Sequence, residues 1–365
     1  MNMNSRSNRH NKGNRSQAVL IAVLILLAII TVAVWIILLF QPSKKENVSP
    51  NIIEGEIIED IQKQEYTQEE EESGEQLSEP QYNFTVEEVT VPVENLSESY
   101  HFAWVSDLHM ITDHEVGPGM DGLYLEEIKE RYEDLPVDKE GLHAEELWPM
   151  LVQKLRTMDI DGVVFGGDMI DYCSESNINA LTKGLEQLQV PYLYIRADHD
   201  MGAWYGGAVF LDRHAKKLQE SIDGNDIEKK YWEFDDFIMV GVDYSNKDMS
   251  KNQMWTLEEQ FNSGKPVIVL THVPYSSHVD ESLKKLSMEV RNTEYYWEGE
   301  HYQPNEDTSE YLHMVYRDES VVKQVLAGHL HSSWDGMITD YVPQHIFGPA
   351  FEGNIGLIHV VPATE

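Results

Sequence analysis

The 365-residue sequence predicts an α/β fold with two sheets. Short runs rich in Val, Ile and Phe recur between turn residues, as strands buried on both faces require. Segments with apolar residues at helical spacing separate them, the order that gives parallel strands joined by crossover helices. A late cluster of strand-like runs then implies a second sheet packed face to face on the first. An apolar share of 41% suffices for a sizeable core, and no internal repeat interrupts it.

Three segments of different character precede the expected domain. Residues 1–17 are polar and basic, with Arg6, Arg9, Lys12 and Arg15 and no acid. Residues 18–40 are an unbroken apolar run, long enough to cross a bilayer as a helix. Gln41-Pro42-Ser43 is a poor cleavage site, which favours an uncleaved transmembrane signal anchor over a signal peptide. The basic residues ahead of the span predict a single-pass protein of the cell membrane, with a cytoplasmic amino terminus and an extracytoplasmic domain. Residues 41–81 include Glu69-Glu70-Glu71-Glu72 and little that builds a core, so they read as an acidic disordered linker. Residues 82–365 form the expected domain. The formal net charge of −37 repels polyanions, so no nucleic-acid surface is expected. For the same reason an anionic substrate has to be drawn in by cations held locally. Cys173 is the single cysteine, which excludes an intramolecular disulfide.

Within the domain, 84–86 and 89–93 are β-rich, and Pro92 marks an edge position. A second strand at 102–105 is followed by helical patterns at 123–132 and 143–158. Leu147, Leu151 and Leu155 share one face of the latter, a stripe suited to core packing. The buried strand 163–165 runs into Gly166-Gly167-Asp168, a helix near 177–188 follows, and then the strand 191–195. A helix near 209–221 leads to a strand pair at 231–235 and 237–242. Buried strands at 266–270 and 321–326 come next, and strands near 337–341, 345–347 and 356–361 complete the tail.

Five of these strand ends deliver Asp or His: Asp107 with His109, Asp168, Asp198 with His199, His272, and His329 with His331. A histidine taken singly is more often a hydrogen-bonded core or surface residue than a ligand. Five such ends in succession place their side chains where open sheets hold ligands. Carboxylates and imidazoles crowded there repel or neutralise one another unless cations hold them. Mixed nitrogen and oxygen donors suit Zn, Fe or Mn rather than Ca or Mg. Their number exceeds one tetrahedral shell, so two divalent ions fit better than one.

The order Asp107-Leu108-His109, Gly167-Asp168-Met169-Ile170-Asp171, Ala197-Asp198-His199-Asp200, His272, Gly328-His329-Leu330-His331 resembles the calcineurin-like metallophosphoesterase superfamily. The likeness runs from about residue 82 to the carboxyl end. It implies a four-layer α/β/β/α sandwich with a dinuclear centre in the loops beyond the strands. One metal would take Asp107, His109 and His331, the other His272, His329 and the residue at 198, with Asp168 bridging. His199 would be the acid beside the substrate, a phosphomonoester or phosphodiester attacked by metal-activated hydroxide. Asp171 and Asp200 would orient ligands by hydrogen bonds; turn or capping carboxylates are the plainer reading of both.

The third element departs from the family's usual Gly-Asn, with Ala197-Asp198 in its place. Asp198 adds a negative charge that holds a cation more tightly and weakens its Lewis acidity. The alternative to an active enzyme is therefore a catalytically weakened metal-binding sensor or scaffold on the same fold. For substrate contacts, Arg291, Arg317 and Lys323 are candidates at the phosphate. The aromatic group Tyr295-Tyr296-Trp297 with His301-Tyr302 serves equally as a stacking surface or as packing for its own loop.

Overall fold

The computed structural model describes residues 82–117, 124–202, 218, 220–222, 230–243 and 249–363, and their strands divide into two sheets. The first holds β1 (Thr85–Val93), β2 (Tyr100–Val105), β3 (Gly162–Phe165), β4 (Tyr192–Tyr194) and β11 (Asn354–Pro362), in the order β1-β11-β2-β3-β4. The second holds β5 (Lys230–Glu233), β6 (Ile238–Val242), β7 (Val267–Thr271), β8 (Val322–Ala327), β9 (Trp334–Met337) and β10 (Pro343–Ile346). Its order is β5-β6-β7-β8-β10-β9. Strands β2, β3 and β4 are parallel, as are β6, β7 and β8, so within each group the carboxyl ends share a rim. β1 is an edge strand, which tolerates the missing N–H of Pro92. The chain leaves the second sheet after β10, and the last strand, β11, inserts between β1 and β2 of the first.

Alternation along the strands sorts side chains between two faces. Val164 of β3, with Phe102, Trp104, Ile268, Leu270, Leu326 and Ile358, fills the space between the sheets. Its neighbours Val163 and Phe165 point outward, against Leu147, Leu151 and Leu155 of α2 (Ala144–Thr157) and Ile178 and Leu181 of α3 (Glu175–Gln187). On the second sheet Val267 and Val269 pack outward against Met254, Leu257 and Phe261 of α5 (Lys251–Phe261), and Tyr311 and Leu312 of α7 (Glu306–Tyr316). Helices thus cover the outer face of each sheet. Two more helices, α1 (Leu125–Asp134) and α6 (Ser282–Arg291), and the short α4 (Asp198–Met201) border the rim.

Several expectations need correction. The strand expected at 337–341 ends at Met337, because Thr339 Oγ1 accepts the N–H groups of Tyr341 and Val342 at 3.2 and 3.0 Å and closes a turn. The helices α5, α6 and α7 lie where no helix was expected. Ser250 and Asn305 cap two of them by accepting the N–H of Gln253 and Thr308. The expected helix at 209–221 falls largely outside the described residues. The basic tail, the spanning helix at 18–40 and the linker at 41–81 fall wholly outside them. Among the described residues no helix is long and apolar enough to cross a membrane.

Candidate metal centre

The turns beyond β2, β3 and β8 hold their side chains through an unusual backbone. Asp107, His109, Asp168, His329 and His331 have φ of 57, 52, 54, 73 and 54°. Left-handed backbone costs a residue with a Cβ of order 1 kcal/mol and persists only where its surroundings enforce it. Here the turns brace one another. Asp107 N–H donates to the carbonyl of Gly167, His109 N–H to that of Asp168, and Gly328 N–H to that of His272. Gly167 has φ +93°, and a Cβ there would meet Ala197 Cβ at 2.8 Å and His272 Nδ1 at 3.0 Å. Only glycine lets these turns approach so closely.

Asp200 fastens the third turn to the second. Its fully buried carboxylate accepts the N–H groups of Asp168, Met169 and Ala197 at 3.0 Å each, and the Tyr194 hydroxyl at 3.0 Å. Burial and the charge of Asp168 push its carboxyl up to about 6 despite those bonds. Asp200 therefore shapes the backbone under the site rather than touching the imidazoles.

The side chains converge in three groups, within each of which the donor atoms lie within 4.8 Å of one another: Asp107 with His109 and His331, Asp168 with His272 and His329, and His109, shared with the first, with Asp171 and His199. Asp168 Oδ2 lies 3.1 Å from His272 Nε2 and 3.7 Å from His109 Nε2, between the first two groups. Asp198 lines the same cleft, but belongs to none of the groups. His199, on α4, donates its N–H to Asp168 Oδ1 at 3.3 Å.

Hydrogen-bond partners fix which ring nitrogens carry hydrogen. His272 Nδ1 faces the Gly166 carbonyl at 2.8 Å, and His109 Nδ1 faces the Asp171 carboxylate at 3.0 Å. Both partners are acceptors, so both Nδ1 atoms are donors and each Nε2 is turned inward. There His109 Nε2 meets His331 Nε2 at 3.0 Å, and His272 Nε2 meets His329 Nδ1 at 3.1 Å. Nitrogen faces nitrogen beside buried carboxylates, and His329 Nε2 is buried with no partner among the described residues. Lone pairs in that arrangement need a proton or a metal cation between them, and the mixed nitrogen and oxygen set fits two divalent ions.

The titration of the groups expresses the same demand. Burial alone would raise Asp107 and Asp168, but His272 holds both well below the usual carboxylate range, aided by His331 and His199 respectively. Burial would lower His272 and His199, yet Asp168 with Asp107 pushes His272 up to about 10, and Asp168 with Asp171 pushes His199 up to about 9. Burial wins at His331, which falls to about 4, and at His329, which burial and the neighbouring His272 hold well below the usual imidazole range. Without metal the pocket recruits protons; a cation on the same lone pairs satisfies the same field.

These groups open into a cleft of about 520 Å³ lined by Arg131, Leu135, Asp198, His199, Arg291 and Tyr295, among others. Of the cations singled out in the sequence, Arg291 lines the cleft; Arg317 and Lys323 do not, and Lys323 pairs with Glu94 instead. The aromatic group divides. Trp297 and Tyr302 are buried and pack their loop, whereas Tyr295 stacks on His329 with centroids 4.3 Å apart. Arg131 went unseen in the sequence. It holds Asp171 by two bonds of 2.6 and 3.0 Å from 40 residues away, with no spacing to betray it.

Two sheets meet over a rim where carboxylates and imidazoles form groups able to hold metal ions. The sequence model of calcineurin-like phosphoesterases matches residues 100–333, and the chain belongs to that family. It is accordingly a metallophosphoesterase, a hydrolase acting on phosphate esters. Among curated proteins none matches it. Similar solved structures include a dimetal phosphatase from Danio rerio, at 12% identity and TM-score 0.41 over 69% of this chain and 88% of that one. A purple acid phosphatase from yellow lupin seeds is 15% identical at TM-score 0.40, over 72% and 45%. A 5'-nucleotidase from Candida albicans is 12% identical at TM-score 0.35, over 72% and 48%.

Proposed function

We propose that the cleft hydrolyses a phosphomonoester or phosphodiester with two divalent metal ions, Mn, Fe or Zn. Asp107, His109 and His331 would hold one ion and His272, His329 and Asp198 the other, with Asp168 shared. The observation that carries this reading is the position of Asp168 Oδ2 between His109 and His272. When bound, such ions activate water and neutralise phosphate oxygens. The protein's own groups supply the rest. Asp171 sets the His109 ring through Nδ1 and is itself held by Arg131. His199 donates Nδ1–H to the Asp171 carbonyl at 2.7 Å. That leaves Nε2, which makes no hydrogen bond among the described residues, to protonate the leaving oxygen.

A second reading, a metal-binding sensor or scaffold on the same fold, is favoured by one observation: Asp198 stands where the family carries a neutral residue, outside the tight groups. Turnover of chromogenic mono- and diesters by the metal-loaded full chain separates the two. Enzyme activity lost in His199→Ala with metal retained supports the first; two bound metals without turnover supports the second. The placement proposed is at the cell membrane, anchored through 18–40 with the domain outside, which the apolar run and its basic flank support. Protease shaving of intact cells tests it: loss of the domain is expected, and full protection contradicts it. The strongly acidic chain supports no nucleic-acid partner.

A further inference from the structure

Two guanidinium groups line the cleft, and they are not equivalent. Arg131 is spent on Asp171 through two hydrogen bonds. Arg291 pairs with no carboxylate among the described residues; its Nη2 donates to the His329 carbonyl at 2.8 Å and its Nε is buried without an acceptor. The group is nonetheless fixed in place. Arg291 closes the last turn of α6, where the helix dipole favours a cation. Its guanidinium lies 5.6 Å from the centroid of Tyr295, whose ring stacks on His329 at 4.3 Å and 14°. A fixed cation with no carboxylate in ion-pair contact among the described residues, and with N–H groups to spare, therefore stands against one of the metal-site histidines.

We propose that Arg291 binds the substrate's phosphate and makes the cleft select phosphomonoesters over phosphodiesters, an inference that rests on the phosphoesterase reading of the site. A monoester is largely dianionic at neutral pH and presents three free oxygens, whereas a diester carries one charge and two. The planar fork of a guanidinium matches two of those oxygens at once. The chain as a whole repels the dianion more strongly, with a net charge of −37, so selection for it has to come from a cation at the site. Asp198 sharpens the requirement: its carboxylate lies in the same cleft, and Arg291 offsets that charge.

The test uses the full chain loaded with Mn²⁺, comparing wild type, Arg291→Gln and Arg291→Lys. Kinetics are read on an aryl phosphate monoester and its diester counterpart, and inorganic phosphate binding is read by calorimetry. Loss of a charged hydrogen-bond donor weakens binding about ten- to a hundredfold. Arg291→Gln is expected to raise KM for the monoester and Kd for phosphate by that factor, with metal content unchanged and a smaller rise in KM for the diester, which offers one charge and one oxygen fewer. Arg291→Lys restores part of the loss. Equal effects on both esters, or unchanged phosphate affinity, overturn the inference. A wild type that turns over neither ester defeats the phosphoesterase reading instead, while the phosphate titration still reads Arg291.

Discussion

Asp171 accepts the Nδ1 hydrogen of His109 at 3.0 Å and thereby turns His109 Nε2 toward His331, 3.0 Å away. A carboxylate that touches no other candidate ligand of that group thus decides which nitrogen His109 offers. Asp171→Asn removes the charge, releases Arg131 and leaves the tautomer unfixed. Metal affinity at the Asp107 group is expected to fall about ten- to a hundredfold, as for other such outer partners. Competition titration against a chromogenic chelator measures it, and unchanged affinity would show that His109 is oriented by something else.

Gly328 has no room for a side chain: a Cβ there would come within 2.5 Å of Asp107 Oδ2. Gly328→Ala displaces that carboxylate and leaves the distant sheet core intact. Loss of one metal per chain is expected, with circular dichroism unchanged; two metals retained would contradict this placement of Asp107.

His199→Ala removes the proposed proton donor and leaves the three-residue groups of Asp107 and Asp168 whole. The turnover rate is expected to fall about a hundred- to ten-thousandfold at unchanged metal content. Leaving groups of low pKa, which need no proton, are expected to be spared most of that loss. A uniform loss across leaving groups would remove His199 from its role as acid.

Glu87, on β1, holds a loop of the opposite sheet: its carboxylate accepts from Ser333 Oγ at 2.9 Å and Gly348 N–H at 3.1 Å, with His345 Nε2 at 3.1 Å. Burial raises this carboxyl, but His345, Gly348 and Ser333 outweigh it and hold it below its usual value of 4.5. A folded-state value below the unfolded one means stabilisation that is complete above pH 4.5 and is lost as pH falls through the folded-state value. Glu87→Gln is therefore expected to melt earlier than wild type at pH 7, with the gap closing toward pH 3. A gap that persists in acid would assign the effect to packing.

Much of this was legible because strand ends carry local signals. The runs at 163–165, 267–270 and 322–326 are apolar and β-branched, and Asp168, His272 and His329 follow within a few residues of each. Chain order therefore announced the convergence. What stayed hidden depended on distance or on short polar bonds. Arg131 reaches Asp171 across 40 residues, and Asp200 works through backbone N–H groups. Tyr295 reaches His329 from a loop whose aromatic composition served two readings equally. Helices α5, α6 and α7 escaped because their apolar faces are short and interrupted by polar residues, and their capping residues Ser250 and Asn305 are common in any turn.

The central claim is that Asp168 joins two metal sites into one hydrolytic centre. Elemental analysis of purified wild type and Asp168→Asn, paired with monoester turnover of the same samples, tests it most directly. Two divalent ions per wild-type chain with turnover, and loss of both metal and turnover in Asp168→Asn, is the predicted result. Wild type holding a single ion, or Asp168→Asn keeping two ions and full activity, would contradict it.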